Sequence, residues 1–157
     1  DSIVAQIVKR FQKQDAIVIY VPDHGEECYE ENRGFICRNH SAEIDWPLAH
    51  YEFEIPFWIY CSPKYIRNHR DIYRQIRKAK DKRFMTDALP HLLLYLAGIE
   101  TPTYKEEYNI LNPKYDEMRP RILKNSADYD KLRDAHLEKI KKEESKKVKK
   151  KGETDYE

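Results

Sequence analysis

No apolar stretch of this chain approaches the ~20 residues that a helix needs to cross a bilayer, and the start Asp1-Ser2-Ile3-Val4 lacks the charged-then-apolar pattern of a signal peptide. Charge of one sign is lacking too. The 29 Lys and Arg nearly cancel the 28 Asp and Glu, leaving +1, so no global field favours a polyanion and nucleic-acid binding is not expected. The three cysteines, Cys28, Cys37 and Cys61, form no CxxC metal pattern, and their odd number leaves at least one thiol unpaired within the chain. A bridge between Cys28 and Cys37 is conceivable in an oxidising compartment. There is no GxxxxGK[ST] phosphate loop, no GxGxxG and no GxSxG elbow, so nucleotide binding and serine hydrolysis lose support. No internal repeat is present. The missing initiating Met reads as an excised piece or a mature segment.

What remains is a chain of 157 residues, 40% hydrophobic and 12% aromatic, long enough to fold around a real core. Ile3, Val4, Ile7, Val8 and Phe11 recur at helical spacing and predict an amphipathic helix. Ala16-Ile17-Val18-Ile19-Tyr20-Val21 predicts a buried strand, and residues 26–51 a long polar loop with Gly34, Asn39 and Pro47 as breakers. Ile55-Pro56-Phe57-Trp58-Ile59-Tyr60-Cys61 predicts a second strand, followed by Ser62-Pro63 as N-cap and first helical residue of a helix to about Ala79. Thr86-Asp87 opens a further helix, which Gly98 ends. Residues 99–115 look like a surface excursion, and Arg119 to Leu123 an edge strand or arm. Beyond Asp128 a Lys- and Glu-rich helix or disordered tail is expected. This alternation predicts an α/β fold, a mainly parallel sheet flanked by helices with a charged C-terminal helix or tail. The domain organisation expected is one portion over 1–130 and the charged tail over 131–157.

The chemistry concentrates at Asp23-His24-Gly25-Glu26, directly after the first strand. A carboxylate and an imidazole at the carboxyl end of a strand are where an open α/β sheet places its ligands. Both are metal ligands, and Gly25 gives the chain the freedom to turn so that the two converge on one ion. The plainer alternative is an Asp-His-Gly turn that caps the next element. His40 stands in the following loop, either folding back to the same pocket as a second-ion ligand or anion donor, or lying on the surface. Glu26 either orients a ligating histidine or is simply solvated. His50, His69 and His136 have no partner pattern, His91 on an apolar helix reads as structural, and Tyr20, Trp46, Trp58 and Tyr60 read as packing residues.

The series from Ile17 through Asp23-His24-Gly25-Glu26, then His40, then Glu54-Ile55-Pro56-Phe57-Trp58-Ile59, then Thr86-Asp87-Ala88-Leu89-Pro90-His91 to Gly98-Ile99 resembles the C-terminal part of the sulfatase-like catalytic domain of phosphoethanolamine transferases. That family lies in the alkaline phosphatase superfamily, and the likeness is to versions from Bacteroides-like bacteria. The resemblance implies a partial alkaline-phosphatase-like fold over about Asp1 to Asp130. It implies Asp23 and His24 as ligands of a catalytic Zn2+, with a second ion conceivable, and His40 as a contact of the transferred phosphoryl group. It also implies transfer of phosphoethanolamine from a phospholipid donor to a glycolipid acceptor such as lipid A, through a phosphorylated threonine.

The family's threonine nucleophile and its upstream acidic ligand have no counterpart in these residues, nor do its N-terminal membrane helices. By resemblance the whole protein sits in the inner membrane of a Gram-negative bacterium with its catalytic domain in the periplasm. The piece alone is expected to be inactive and, with half a sheet uncovered, to self-associate. Pro22 before the tetrad, Glu27 after it and the Arg38-Asn39-His40-Ser41 context depart from many relatives. Two other readings stay open: a sulfatase or phosphodiesterase of the same superfamily, and a non-catalytic α/β interaction domain.

Overall fold

Helices dominate, and the strands are short. The computed structural model describes residues 2–30, 36–37 and 43–154. The elements are α1 (Ser2–Phe11), β1 (Ile17–Tyr20), β2 (Glu27–Cys28), β3 (Ile36–Cys37), α2 (Trp46–Phe53), β4 (Trp58–Cys61), α3 (Pro63–Asn68), α4 (Arg70–Ala79), α5 (Leu89–Ala97), β5 (Ile122–Leu123), β6 (Ala127–Asp128) and α6 (Tyr129–Thr154). They group into two compact units, Asp1–Val21 with Pro56–Arg119, and Pro22–Ile55 with Pro120–Glu157.

In the first unit β1 pairs with β4, Ile17 opposite Cys61 and Tyr20 opposite Trp58. Ser62 follows β4 and fixes the start of α3, because its hydroxyl oxygen accepts from the Tyr65 N–H at 3.0 Å and Pro63 needs no partner for a missing donor. The helix expected to reach Ala79 is interrupted at His69, whose φ of −125° and ψ of 52° leave the helical region, giving α3 and α4. Gly98 at φ +66° closes α5 in the left-handed conformation that favours glycine. The core of this unit gathers Ala79, Leu92, Ile110 and Leu111. Ile110 and Leu111 belong to the stretch expected as a surface excursion. Asn109 folds it inward: fully buried, it donates to the Tyr104 hydroxyl and accepts from the Leu111 N–H.

The second unit packs Ile44, Leu48, Ala49, Leu123 and Tyr129 together. Here α2 replaces part of the expected loop. Asp45 accepts from the Leu48 N–H at 3.0 Å as N-cap and Pro47 occupies the first turn, so the residue read as a breaker begins a helix. The β5–β6 hairpin turns through Lys124 and Asn125, both left-handed at φ of 48° and 56°, with the Ser126 N–H donating to the Leu123 carbonyl, and the expected edge strand forms over Ile122–Leu123. Leading out of that hairpin, α6 continues to Thr154.

The mixed α/β class stands, but the strand direction differs from the mainly parallel sheet expected. Among the described residues all three pairs, β1–β4, β2–β3 and β5–β6, are antiparallel. Parallel neighbours need a crossover helix between them. The 34 residues of Pro22–Ile55 between β1 and β4 instead build part of the other unit. The strands are also shallower than expected, since β1 is half-buried and Tyr20 is exposed. The cysteine bridge does not form. Pairing sets Cys28 opposite Ile36 and Cys37 opposite Glu27, and Cys28 is a free thiol, as is the buried Cys61.

Candidate functional site

The chain leaves β1 at Tyr20, and Asp23-His24-Gly25 forms an extended bend beyond the strand. Its position is set by the end of α2. A helix leaves its last four carbonyls without intrahelical partners. The Gly25 N–H satisfies that of Glu52 at 2.9 Å. The approach is so close that a Cβ on Gly25 would stand 2.2 Å from the Tyr51 carbonyl oxygen. Gly25 does not adopt a positive φ. Its requirement is space for another backbone, which corrects the expectation of conformational freedom.

With Gly25 anchored, the two preceding side chains converge. His24 Nε2 lies 3.3 Å from Asp23 Oδ2, and His24 Nδ1 lies 2.9 Å from the carbonyl oxygen of Gly25. A carbonyl only accepts, so Nδ1 carries the proton of that bond, and in the neutral ring Nε2 presents its lone pair. Facing the carboxylate, Nε2 either donates as the second N–H of a charged ring or, in the neutral ring, offers with Asp23 Oδ2 two donor atoms to a cation. Two ligands of a tetrahedral zinc at ~2.0–2.1 Å are separated by about 3.3 Å, so the donor spacing fits two corners of such a site. The bond to the Gly25 carbonyl holds the ring in place, as a backbone carbonyl does behind the histidine ligands of metal sites. The imidazole is 23% exposed and the Asp23 side chain 88% exposed, so the pair sits at the surface with one side open.

Glu26 is not brought into this arrangement. It is exposed, and the partner that orients His24 is the Gly25 carbonyl. His40 lies outside the described residues. Among the described residues no group of three or more His, Cys, Asp or Glu side chains is placed to hold a metal.

A second cluster, on α2 and the start of α6, was not singled out from the sequence. Glu54 accepts from the Tyr129 hydroxyl and pairs with His50 Nδ1 at 3.0 Å. Arg121 grips Asp130 with two nitrogens and lies 4.3 Å above the Tyr129 ring. Burial first, then the bond to Glu54, pushes the Tyr129 phenol up to about 12. Trp46 stacks against both His50 and His136, at 5.6 and 5.1 Å. A histidine four residues before Glu54 on one helix was the available signal. His91 is structural as expected: Nδ1 accepts from the Lys105 N–H and the ring stacks on Tyr108. Asp87 of the Thr86-Asp87 motif is held by two bonds from Arg119, which keep its carboxyl below the usual range.

Among the described residues no helix is long and apolar enough to cross a membrane. No protein-family model matches the chain, and comparison with curated proteins finds no match. Two solved structures do match, both of the C-terminal periplasmic domain of EcEptC from Escherichia coli, one of them described as a complex with Zn. Each is 27% identical over 83% of this chain, with a TM-score of 0.65. The chain spans 37% of that neighbour's length. Fold and sequence identity therefore agree, and the resemblance holds: the chain is similar to the C-terminal periplasmic domain of a phosphoethanolamine transferase.

Proposed function

We propose that these residues supply one half of a zinc-dependent phosphoethanolamine transfer site, working in the periplasm on a head group taken from a phospholipid and passed to a glycolipid such as lipid A. The observation that carries the reading is the 3.3 Å approach of His24 Nε2 to Asp23 Oδ2, with Nδ1 tied to a carbonyl. A neighbour solved as a zinc complex supports it.

On this reading Asp23 and His24 hold the ion, each through one atom. When bound, zinc lowers the pKa of a hydroxyl nucleophile and neutralises charge on the phosphoryl oxygens. The Gly25 carbonyl keeps the Nδ1 proton in place, so that Nε2 stays available as a donor. The C-terminal end of α2 carries the negative end of the helix dipole, and the bend resting on it is a favourable place for positive charge. His40 is assigned contact with the transferred phosphoryl group and Glu26 an outer position. The threonine nucleophile and the remaining acidic ligand of the family are not among these 157 residues. The chain alone is therefore inactive towards a phosphatidylethanolamine analogue.

Equilibrium dialysis against zinc tests the reading without requiring turnover. The chain retains zinc, and Asp23→Ala and His24→Ala each weaken retention by about 10-fold or more, at least what loss of a group that merely orients a ligand costs. Equal retention by all three proteins overturns it.

A further inference from the structure

Charge is balanced over the whole chain but not along it. Residues 139–151 hold eight lysines and two glutamates, a local charge of +6, so the rest of the chain carries −5. At the root of α6 the charges are neutralised: Arg133 meets Asp130 at 3.6 Å and Asp134 at 2.9 Å. Farther along they are not. Lys139, Lys141, Lys142, Lys146 and Lys147 are all exposed, and among the described residues the ion pair of this group is a 3.8 Å contact from Lys142 to Glu138. Lys139, Lys142 and Lys146 are spaced three and four apart, which puts them along one face of the helix. The sequence then adds Lys149, Lys150 and Lys151 with no acid before Glu153.

We infer that the lysine-rich end of α6 is a docking element for an anionic phospholipid surface. This stands on charge segregation and does not depend on the zinc reading. Each Lys close to an anionic bilayer contributes roughly 1 kcal/mol, so five acting together raise partitioning by on the order of 10³-fold. The chemistry of the stretch favours lipid over nucleic acid. No Arg follows Arg133, so the planar fork that reads base edges and grips phosphates bidentately is missing. No Phe, Trp or Tyr lies between Tyr129 and Tyr156, so there is no platform on which bases could stack. Lysines alone, as mobile point charges, suit the diffuse field of head groups. A domain held this way is kept beside lipid-borne substrates.

Sedimentation of the full chain with lipid vesicles tests this. The chain pellets with vesicles of about one-third phosphatidylglycerol in phosphatidylcholine and not with phosphatidylcholine alone. Raising salt from about 0.1 M to 1 M, which shortens the Debye length from ~10 to ~3 Å, releases it. Replacing Lys146, Lys147, Lys149, Lys150 and Lys151 together by Gln lowers partitioning by about 100-fold or more, whereas Arg at the same five positions retains it. Equal binding to neutral vesicles, insensitivity to salt, or undiminished binding by the Gln variant overturns the inference. So does a preference for duplex DNA over the anionic vesicles in direct competition. The lipid and salt arms use the unaltered chain, so they decide the matter even if the Gln variant fails to fold.

Discussion

Gly25 rests against the carbonyl of Tyr51 so closely that a methyl group in place of its hydrogen would lie 2.2 Å from the oxygen. Two backbones meet there, and neither is the far end of a flexible side chain. Gly25→Ala must therefore displace the bend from the end of α2, lengthening the bond from the Gly25 N–H to Glu52 and moving Asp23 and His24 with it. The expected cost is about 1–3 kcal/mol, the range for forced overpacking. Urea unfolding reads that loss, and zinc retention falls with it.

Tyr129 gives the second unit a dependence on high pH. Its folded pKa is raised to about 12, above the ordinary value near 10, so the stability it contributes is fully present below pH ~10 and is lost as pH rises through about 12. Burial raises the Tyr65 and Tyr115 phenols as well, and they act in the same direction. Tyr129→Phe should flatten part of the decline in unfolding free energy over that window. An unchanged slope would show that the phenol ionises as freely folded as unfolded.

At the acid end Asp87 acts with the opposite sign. Its bonds from Arg119 lower the folded pKa, so its contribution is present above the unfolded value of ~4 and disappears as pH falls through the lower folded one. The carboxylate is half-exposed, and the expected cost of Asp87→Asn at neutral pH is no more than about 1 kcal/mol. Denaturant titrations between pH 2 and 7 should show the variant losing less stability on acidification than the parent.

Legibility in the sequence followed the reach of each interaction. Ser62-Pro63 and Gly98 were readable because cap chemistry is settled within a few residues, and both ends stand where the sequence put them. α2 was not, because Pro47 breaks a helix at most positions and begins one only when Asp45 supplies the cap. Asn109 falls in the stretch expected as a surface excursion, and its burial depends on Tyr104 and on Ile110 and Leu111 joining a core with Leu92. Strand direction was likewise out of reach, since it depends on where the segment between β1 and β4 packs. At the site, adjacency made Asp23 and His24 visible as a pair. The reason for Gly25 was misread, because the carbonyl it must clear lies 26 residues away in the sequence. Glu54 and Tyr129 pair across 75 positions, which no local pattern reveals.

The most direct test is an ¹⁵N histidine NMR titration of the chain with zinc, which reports each ring nitrogen separately. The account predicts that Nε2 of His24 shifts on coordination while Nδ1 keeps its proton, and that Asp23→Ala abolishes or greatly weakens the response. A His24 ring that stays unperturbed up to millimolar zinc, or that coordinates through Nδ1, would contradict it.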